Sequence, residues 1–140
     1  MTSAFTLDPR LAGDTAFVCD WRLCAVHLMN DARYAWLVLV PRRVGLVEPF
    51  DLPVPEQAQL WREVTAAAAA LKRETGCRKA NIGALGNIVA QLHVHIVARE
   101  EGDAAWPGPV WGKGAAERFS PGALAAQIAR WRGVLRPPTD

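Results

Sequence analysis

Two of the three histidines of this chain, His93 and His95, stand two residues apart inside an apolar segment. The segment runs from Gln91 to Arg99 and is rich in β-branched residues, which is typical of a buried strand. Because side chains alternate between the two faces of a strand, Gln91, His93 and His95 are predicted to share one face. The other face is predicted to pack into the core through Leu92, Val94 and Ile96. Two imidazoles and an amide in one row can perform chemistry, so we expect the functional site here.

Three kinds of chemistry fit a pair of imidazoles on a strand. In the first, one histidine attacks an electrophile and forms a covalent intermediate while its neighbours orient it and handle the leaving-group proton. In the second, the pair chelates a metal ion, which needs a third protein ligand that this strand does not carry; His27 is the one remaining histidine. In the third, both histidines are sheet residues satisfied by hydrogen bonds. Two histidines on one face favour the first interpretation.

The segment before the histidines contains Asn81, Gly83, Gly86 and Asn87. Glycine allows positive φ and a close backbone approach, and backbone N–H groups and asparagine amides can bind phosphate oxygens. No Gly-Lys-Ser/Thr element follows, so the pattern is not a P-loop. Taken alone, it is explained more simply by a plain hairpin connection.

Composition limits the class of protein. The chain has 140 residues, 51% of them hydrophobic and 21% charged, which is typical of one globular domain. The formal net charge of +2 is too small to favour binding to nucleic acid. No apolar run is long enough to span a bilayer, and no signal-peptide pattern is seen. Three cysteines without a CxxC pair indicate reduced thiols, so we expect a cytoplasmic protein that binds no membrane.

The elements that must position the histidine row form an α+β pattern without βαβ alternation. We predict an antiparallel sheet of about five strands, one long helix and a short C-terminal helix. Strands are predicted over 17–20, 23–29, 36–40 and 79–82, followed by the histidine strand. The long helix is predicted over 55–75 and ends at Gly76, and the short helix begins at Ser120-Pro121. The single expected domain covers 1–140, with a core of about 17–112 and a C-terminal extension over 113–140.

The histidine row and its flanks resemble the signature of the histidine-triad (HIT) superfamily, whose core pattern is His-φ-His-φ-His-φ-φ. The resemblance extends from Asn81 through the Gly86-Asn87 pair to Arg99. A second segment, Trp36–Arg43, is similar to the family's apolar strand that ends in Pro-basic-basic. The resemblance implies an α+β domain that pairs into a homodimer through its long helix and the adjacent strand. It also implies a nucleotide hydrolase or transferase that works through a nucleotidyl-histidine intermediate.

The resemblance assigns a role to each matched residue. His93 corresponds to the nucleophile, His95 to the histidine that positions the α-phosphate, and Gln91 stands where the first triad histidine is expected. The implied nucleotide-binding residues are Asn30 or its competitor Asp31 at the ribose, and Asn81 and Asn87 near the phosphates. Two further candidates come from the residue types alone: Gly86, whose backbone can approach a phosphate, and Arg99, which can balance phosphate charge although an arginine that ends a strand is usually solvated. Adenosine phosphates are the expected ligands, with no metal and no cofactor.

Two positions depart from the family pattern. Gln91 replaces a triad histidine, and Val44 replaces a histidine often found after Pro-basic-basic. Glutamine cannot relay a proton at pH 7, so we expect leaving groups that need little protonation, which favours dinucleoside polyphosphates over phosphoramidates. Two alternatives remain open: a nucleotide-binding protein with weak or lost catalysis, and a metal site on an unrelated sheet protein.

The tryptophans are interpreted mainly as packing residues. Trp36 is expected in the sheet, and Trp61 and Trp131 in the core or a dimer interface. Trp106 and Trp111 either lie over a nucleobase or a partner subunit, or pack an irregular segment.

Overall fold

A five-stranded antiparallel sheet that includes His95 forms the centre of the computed structural model, which describes residues 4–139. The strands are β1 (Thr15–Asp20), β2 (Cys24–Met29), β3 (Trp36–Pro41), β4 (Lys79–Gly83) and β5 (Val94–Arg99). The helices are α1 (Pro9–Asp14), α2 (Val54–Thr75) and α3 (Pro121–Val134), with a 3-10 turn at Pro49–Asp51. The strand order is β1-β2-β3-β5-β4, with every neighbouring pair antiparallel. The predicted α+β fold is confirmed.

One face of the sheet is covered by the two longer helices. Its apolar side chains pack with α2 and α3 in the main core: Val26, Leu28, Leu37, Leu39, Leu92, Val94 and Ile96. The predicted inward face of the histidine strand is thereby confirmed. Burial of each such side chain contributes about 1.5–3 kcal/mol to folding. The strand side chains of the other face pack against the segment that follows β5, in a cluster that includes Trp36, Val38, Val97 and Val110.

Helix α2 is fixed to the sheet by a buried carboxylate as well as by apolar packing. It ends at Gly76, whose φ of 67° suits a glycine, as predicted. Glu63 is fully buried and accepts hydrogen bonds from the backbone N–H groups of Leu23 (3.0 Å) and Cys24 (2.8 Å). These bonds hold the middle of α2 against the start of β2 and leave the opposite face of the sheet available for a site.

The histidine strand is shorter than predicted. Its ladder with β3 begins at Val94, which pairs with Leu39, and the preceding residues leave the sheet. The N–H of Leu92 donates instead to the carbonyl of Leu46 at 3.0 Å. Consequently His95 lies in the ladder, whereas His93 and Gln91 lie in the segment that leads into it.

The two helix tryptophans have different environments. Trp131 on α3 is fully buried in the main core, as predicted. Trp61 on α2 is 60% exposed, so a place in the core of this chain is wrong for it. It lies on the face of α2 that points away from the sheet. Within residues 4–139, no helix has the length and apolar character needed to cross a membrane.

Candidate active site

A cavity of about 560 Å³ opens on the sheet face that carries His95. This volume is in the range of small-molecule sites. Residues from four stretches of the chain (11–14, 29–36, 85–95 and 110–118) line it, among them Leu11, Met29, Asn30, Trp36, Asn87, His93, His95, Trp111 and Arg118. The cavity therefore combines the two histidines with apolar walls and a few polar groups.

His93 is held through one ring nitrogen. Its Nδ1 lies 2.7 Å from the backbone carbonyl of Gln91, and because a carbonyl only accepts, Nδ1 carries the proton of this bond. The neutral ring therefore keeps its lone pair on Nε2. His93 is 6% exposed, and its ring centroid lies 4.8 Å from that of His95. A buried, oriented imidazole with a free lone pair is suited to nucleophilic attack.

His95 is surrounded by aromatic rings. Trp36 Nε1 lies 3.0 Å from His95 Nδ1, and the Trp111 ring packs edge-on at a centroid distance of 5.5 Å. Burial lowers the pKa of His95 to about 3, and the neighbouring His93 adds to this effect. His95 is therefore neutral at physiological pH.

Trp111 reaches His95 because a glycine leaves room for it. Gly83 pairs with His95 across the β4–β5 ladder, and a Cβ atom at Gly83 would lie 3.2 Å from the Trp111 ring. Trp111 thus lines the cavity and also packs against the apolar cluster on this face of the sheet.

Gln91 does not present its amide to the cavity. Its Oε1 accepts a hydrogen bond from the backbone N–H of Asp8 at 2.8 Å, and its Nε2 donates to the carbonyl of Thr6 at 2.9 Å. Both ends of the side chain are thus bound to the segment before α1. Gln91 lines a small pocket together with His93, while the β ladder that carries His95 begins only at Val94.

Asn30 and Asp31 both lie at the cavity, at the end of β2. Asn30 Oδ1 accepts from the N–H of Phe119 at 2.9 Å, which leaves its NH₂ group without a partner among the described residues. Asp31 is 1% exposed and forms an ion pair with Arg33 at 2.8 Å. Burial alone would raise the pKa of Asp31, but the hydrogen bonds from Arg33 and the Glu117 N–H outweigh it and lower the pKa. Asn30 is therefore the better placed of the two to bind a ligand.

Gly86 and Asn87 also line the cavity. Gly86 has a φ of 71°, a conformation that favours glycine. Asn87 is exposed, so its amide is accessible from solvent.

Asn81 and Arg99 are not brought to the cavity. Arg99 is 1% exposed, and its guanidinium donates to Asp103 (2.8 Å), Asn81 Oδ1 (2.8 Å) and the carbonyl of Gly108 (2.8 Å). The hydrogen bonds from Arg99 hold the pKa of Asp103 at about 2. Neither residue lines the cavity, and their hydrogen bonds hold the loop after β5.

The segment after Trp111 forms a wall that the sequence did not reveal. Gly112, Gly114, Ala116 and Arg118 line the cavity. Backbone bonds attach this wall to the turn after β2, as the N–H of Ala32 donates to the carbonyl of Glu117 at 2.7 Å. The segment has no hydrophobic periodicity, so no sequence signal could place it there.

The remaining candidates have other environments. His27 is buried, its Nδ1 lies 3.2 Å from Thr15 Oγ1, and desolvation lowers its pKa. Val44 is 58% exposed. In the part of the chain that the structure describes, no group of three or more His, Cys, Asp or Glu side chains converges as a metal site requires.

Comparison with known proteins identifies the family. The model of the HIT domain matches residues 11–102. A crystal structure of a histidine triad protein from Sinorhizobium meliloti has 50% sequence identity and a TM-score of 0.90, covering 94% of this chain and 97% of that one. A histidine triad protein from Bradyrhizobium japonicum has 46% identity and a TM-score of 0.91, covering 96% and 100%.

A histidine triad protein from Marinobacter aquaeolei has 41% identity and a TM-score of 0.92, covering 95% of this chain and 97% of that one. A search of curated proteins found no significant match. The family resemblance drawn from the histidine row is confirmed by the domain match and by these structures. The chain belongs to the histidine-triad family of nucleotide-binding hydrolases and transferases.

Proposed function

We propose that this protein hydrolyses or transfers a nucleotidyl group from a dinucleoside polyphosphate or a related nucleotide, with His93 as the nucleophile. The observation that carries the proposal is the bond from His93 Nδ1 to the Gln91 carbonyl at 2.7 Å, beside a cavity of about 560 Å³. This bond directs the lone pair of the neutral ring to Nε2. Nε2 attacks the α-phosphorus, a P–N bond forms, and the bond to the leaving oxygen breaks with its electron pair on that oxygen.

Water completes the cycle in the hydrolytic reaction. It attacks the phosphorus of the nucleotidyl-histidine, the P–N bond breaks, and the nucleoside monophosphate is released. One proton of the attacking water is lost to the solvent. In transfer, another hydroxyl or phosphate takes the place of water. His93 is regenerated in both cases.

The nucleotide is proposed to occupy the cavity with its ribose near Asn30 and its phosphates near Gly86 and Asn87. The unpartnered NH₂ group of Asn30 can donate to a ribose oxygen. The apolar walls, including Leu11 and Trp111, suit a nucleobase such as adenine.

The leaving group is proposed to be one that departs without a proton from the protein. Both ends of the Gln91 amide are bound to the backbone of Thr6 and Asp8, and glutamine is not an acid at pH 7. A nucleoside polyphosphate is a stable anion and departs under these conditions more readily than an amine.

Turnover of diadenosine tetraphosphate by the wild type and His93→Ala tests this function. We expect loss of at least a hundredfold in kcat for His93→Ala. On the wild type we expect a covalent adenylyl adduct after acid-free quenching, with a mass gain equal to AMP less one water. His27→Asn serves as the control, because His27 lies on the same sheet and is hydrogen-bonded to Thr15. Equal turnover by wild type and His93→Ala would exclude the mechanism.

A second candidate is nucleotide binding with weak or lost catalysis. Gln91 favours this candidate, because both ends of its amide are hydrogen-bonded to the backbone and no acid replaces the missing triad histidine. This candidate predicts nucleotide binding, measured as an increase in Tm, together with negligible turnover.

The proposed assembly is a homodimer formed through α2 and β4. Trp61 on α2 is 60% exposed, and β4 is at the edge of the sheet with one side unpaired in the described chain. Both are features that an interface between copies would cover. Sedimentation of wild type and Trp61→Glu tests the assembly: we expect a dimer that the substitution weakens.

A further inference from the structure

Trp36 makes a specific bond to one histidine of the cavity. It lies on β3 opposite Val97, and it reaches diagonally across the ladder to His95, which pairs with Val38. Trp36 Nε1 lies 3.0 Å from His95 Nδ1, and both side chains are 6% exposed. The contact is therefore buried, so it matters which of the two nitrogens carries the hydrogen of this bond.

The chemistry of the two rings decides which nitrogen of His95 carries its proton. An indole N–H only donates, so Nδ1 of His95 must accept and cannot carry a hydrogen. A neutral imidazole has one ring hydrogen, which must then lie on Nε2. A charged imidazolium would place two N–H groups against each other at Nδ1, which the Trp36 bond opposes.

The other neighbours of His95 do not compete with this arrangement. The ladder places Val38 and Gly83 opposite it, and Trp111 packs on its edge. Among the described residues, His93 is the titratable group that faces His95. A positive charge on His93 would disfavour a second positive charge on His95. Among the described residues no carboxylate acts on His95, so no counter-charge stabilises an imidazolium there.

We propose that Trp36 is a positioning residue that fixes the ring proton of His95 on Nε2, so that His95 acts only as a hydrogen-bond donor to the substrate. His95 then donates to a phosphate oxygen throughout the reaction and neither takes up nor releases a proton. The ring tautomer is a property of the ligand-free protein; the role toward phosphate rests on the proposed function.

The ¹⁵N shifts of the histidine rings in wild type, Trp36→Phe and Trp111→Phe test the proposal. In the wild type we expect a protonated, pyrrole-type Nε2 and a pyridine-type Nδ1 for His95 between pH 5 and 8. Trp36→Phe keeps an aromatic ring but removes the donor, so we expect mixed tautomers and protonation of His95 at a higher pH. Trp111 also packs beside the His95 ring, but its indole N–H does not bond to that ring. We therefore expect Trp111→Phe to keep the wild-type tautomer.

The activity arm uses the same variants with diadenosine tetraphosphate. We expect Trp36→Phe to lower kcat about tenfold, with a smaller change in KM and a new loss of rate on the acid side of the pH profile. A wild-type His95 protonated on Nδ1, or a Trp36→Phe spectrum with an unchanged His95 tautomer, would overturn the proposal. If no variant turns the nucleotide over, the proposed function fails while the spectra still decide the tautomer.

Discussion

The backbone N–H of Asp8 donates a hydrogen bond of 2.8 Å to Oε1 of Gln91, a residue 83 positions away. The amide nitrogen of the same side chain donates to the carbonyl of Thr6 at 2.9 Å. Arg10 adds a bond to the carbonyl of Ile88 at 3.0 Å. Gln91 thereby attaches the chain before α1 to the edge of the site, and α1 in turn supplies Leu11 to the cavity wall.

Replacement of Gln91 by alanine is expected to release this segment. The N–H of Asp8 and the carbonyl of Thr6 lose their partners, which costs about 1–2 kcal/mol of the free energy of unfolding. Hydrogen exchange at the Asp8 amide should become faster in Gln91→Ala. Gln127→Ala removes an amide of the same size from α3 and should leave this exchange rate unchanged. Equal exchange in wild type and Gln91→Ala would show that the side chain does not hold the segment.

Replacement of Gln91 by histidine is expected to change the preference for the leaving group. Gln91 and His93 line a common small pocket, so an imidazole at position 91 that is not held by Thr6 and Asp8 introduces an acid near His93, which helps an amine depart more than it helps a polyphosphate. We expect Gln91→His to raise kcat/KM for an adenosine phosphoramidate at least tenfold and to change it little for diadenosine tetraphosphate. An equal change for both substrates would contradict the argument from leaving-group protonation. Gln91→Asn, which adds no acid, is the matched control.

Acid should destabilise the protein through His95. The pKa of His95 is about 3 in the folded chain, below the ordinary value of about 6.5, so the unfolded chain binds the proton more tightly. The free energy of unfolding therefore falls as the pH drops from about 6.5 toward 3, by at most about 1.4 kcal/mol per pH unit for this one group.

His95→Asn removes the titrating ring while Asn Oδ1 can still accept from Trp36. Urea unfolding at several pH values should show a shallower acid dependence for His95→Asn than for the wild type between pH 6.5 and 4. His27 and the depressed carboxyls act in the same direction in both proteins, so the difference between them reports His95. Identical slopes would mean that His95 does not stay neutral on folding.

Local sequence patterns were sufficient to predict the fold and to single out His93 and His95, which both line the cavity. The spacing of apolar residues along 55–75 predicted α2 to within one residue, because a helix stripe repeats in the sequence itself. Alternation predicted which side of the histidine strand is buried. The family assignment followed from the histidine row and was confirmed.

Long-range pairing decided the features that the sequence did not predict. Trp36 is a sheet residue by composition, and only the register between β3 and β5 places its indole at His95. Gln91 has the right spacing to face the cavity, but the ladder ends at Val94 and its amide is bound to a segment far away in sequence. Arg99 closes a strand, a position that favours solvent exposure, yet Asp103 makes its burial possible.

Removal of Asp103 is expected to cost more stability than removal of a neighbouring surface carboxylate. The Arg99 and Asp103 side chains are 1% and 8% exposed, so Asp103→Ala leaves a buried guanidinium without its counter-charge, at about 3–5 kcal/mol. Arg78 and Glu101 form a matched pair that is 64% and 71% exposed, so Glu101→Ala should cost less than about 1 kcal/mol.

The same pair has a defined pH dependence. The pKa of Asp103 is about 2, lowered first by the hydrogen bond from Arg99, so its stabilisation is complete above about pH 4 and is lost as the pH falls toward 2. Urea unfolding of wild type, Asp103→Ala and Glu101→Ala at pH 7 and pH 3 measures both effects. Asp103→Ala should be the least stable at pH 7, and its deficit should shrink at pH 3, because the wild type begins to lose the ion pair there. A deficit of equal size for both variants at pH 7 would place Arg99 in solvent, where it would again be available to bind phosphate.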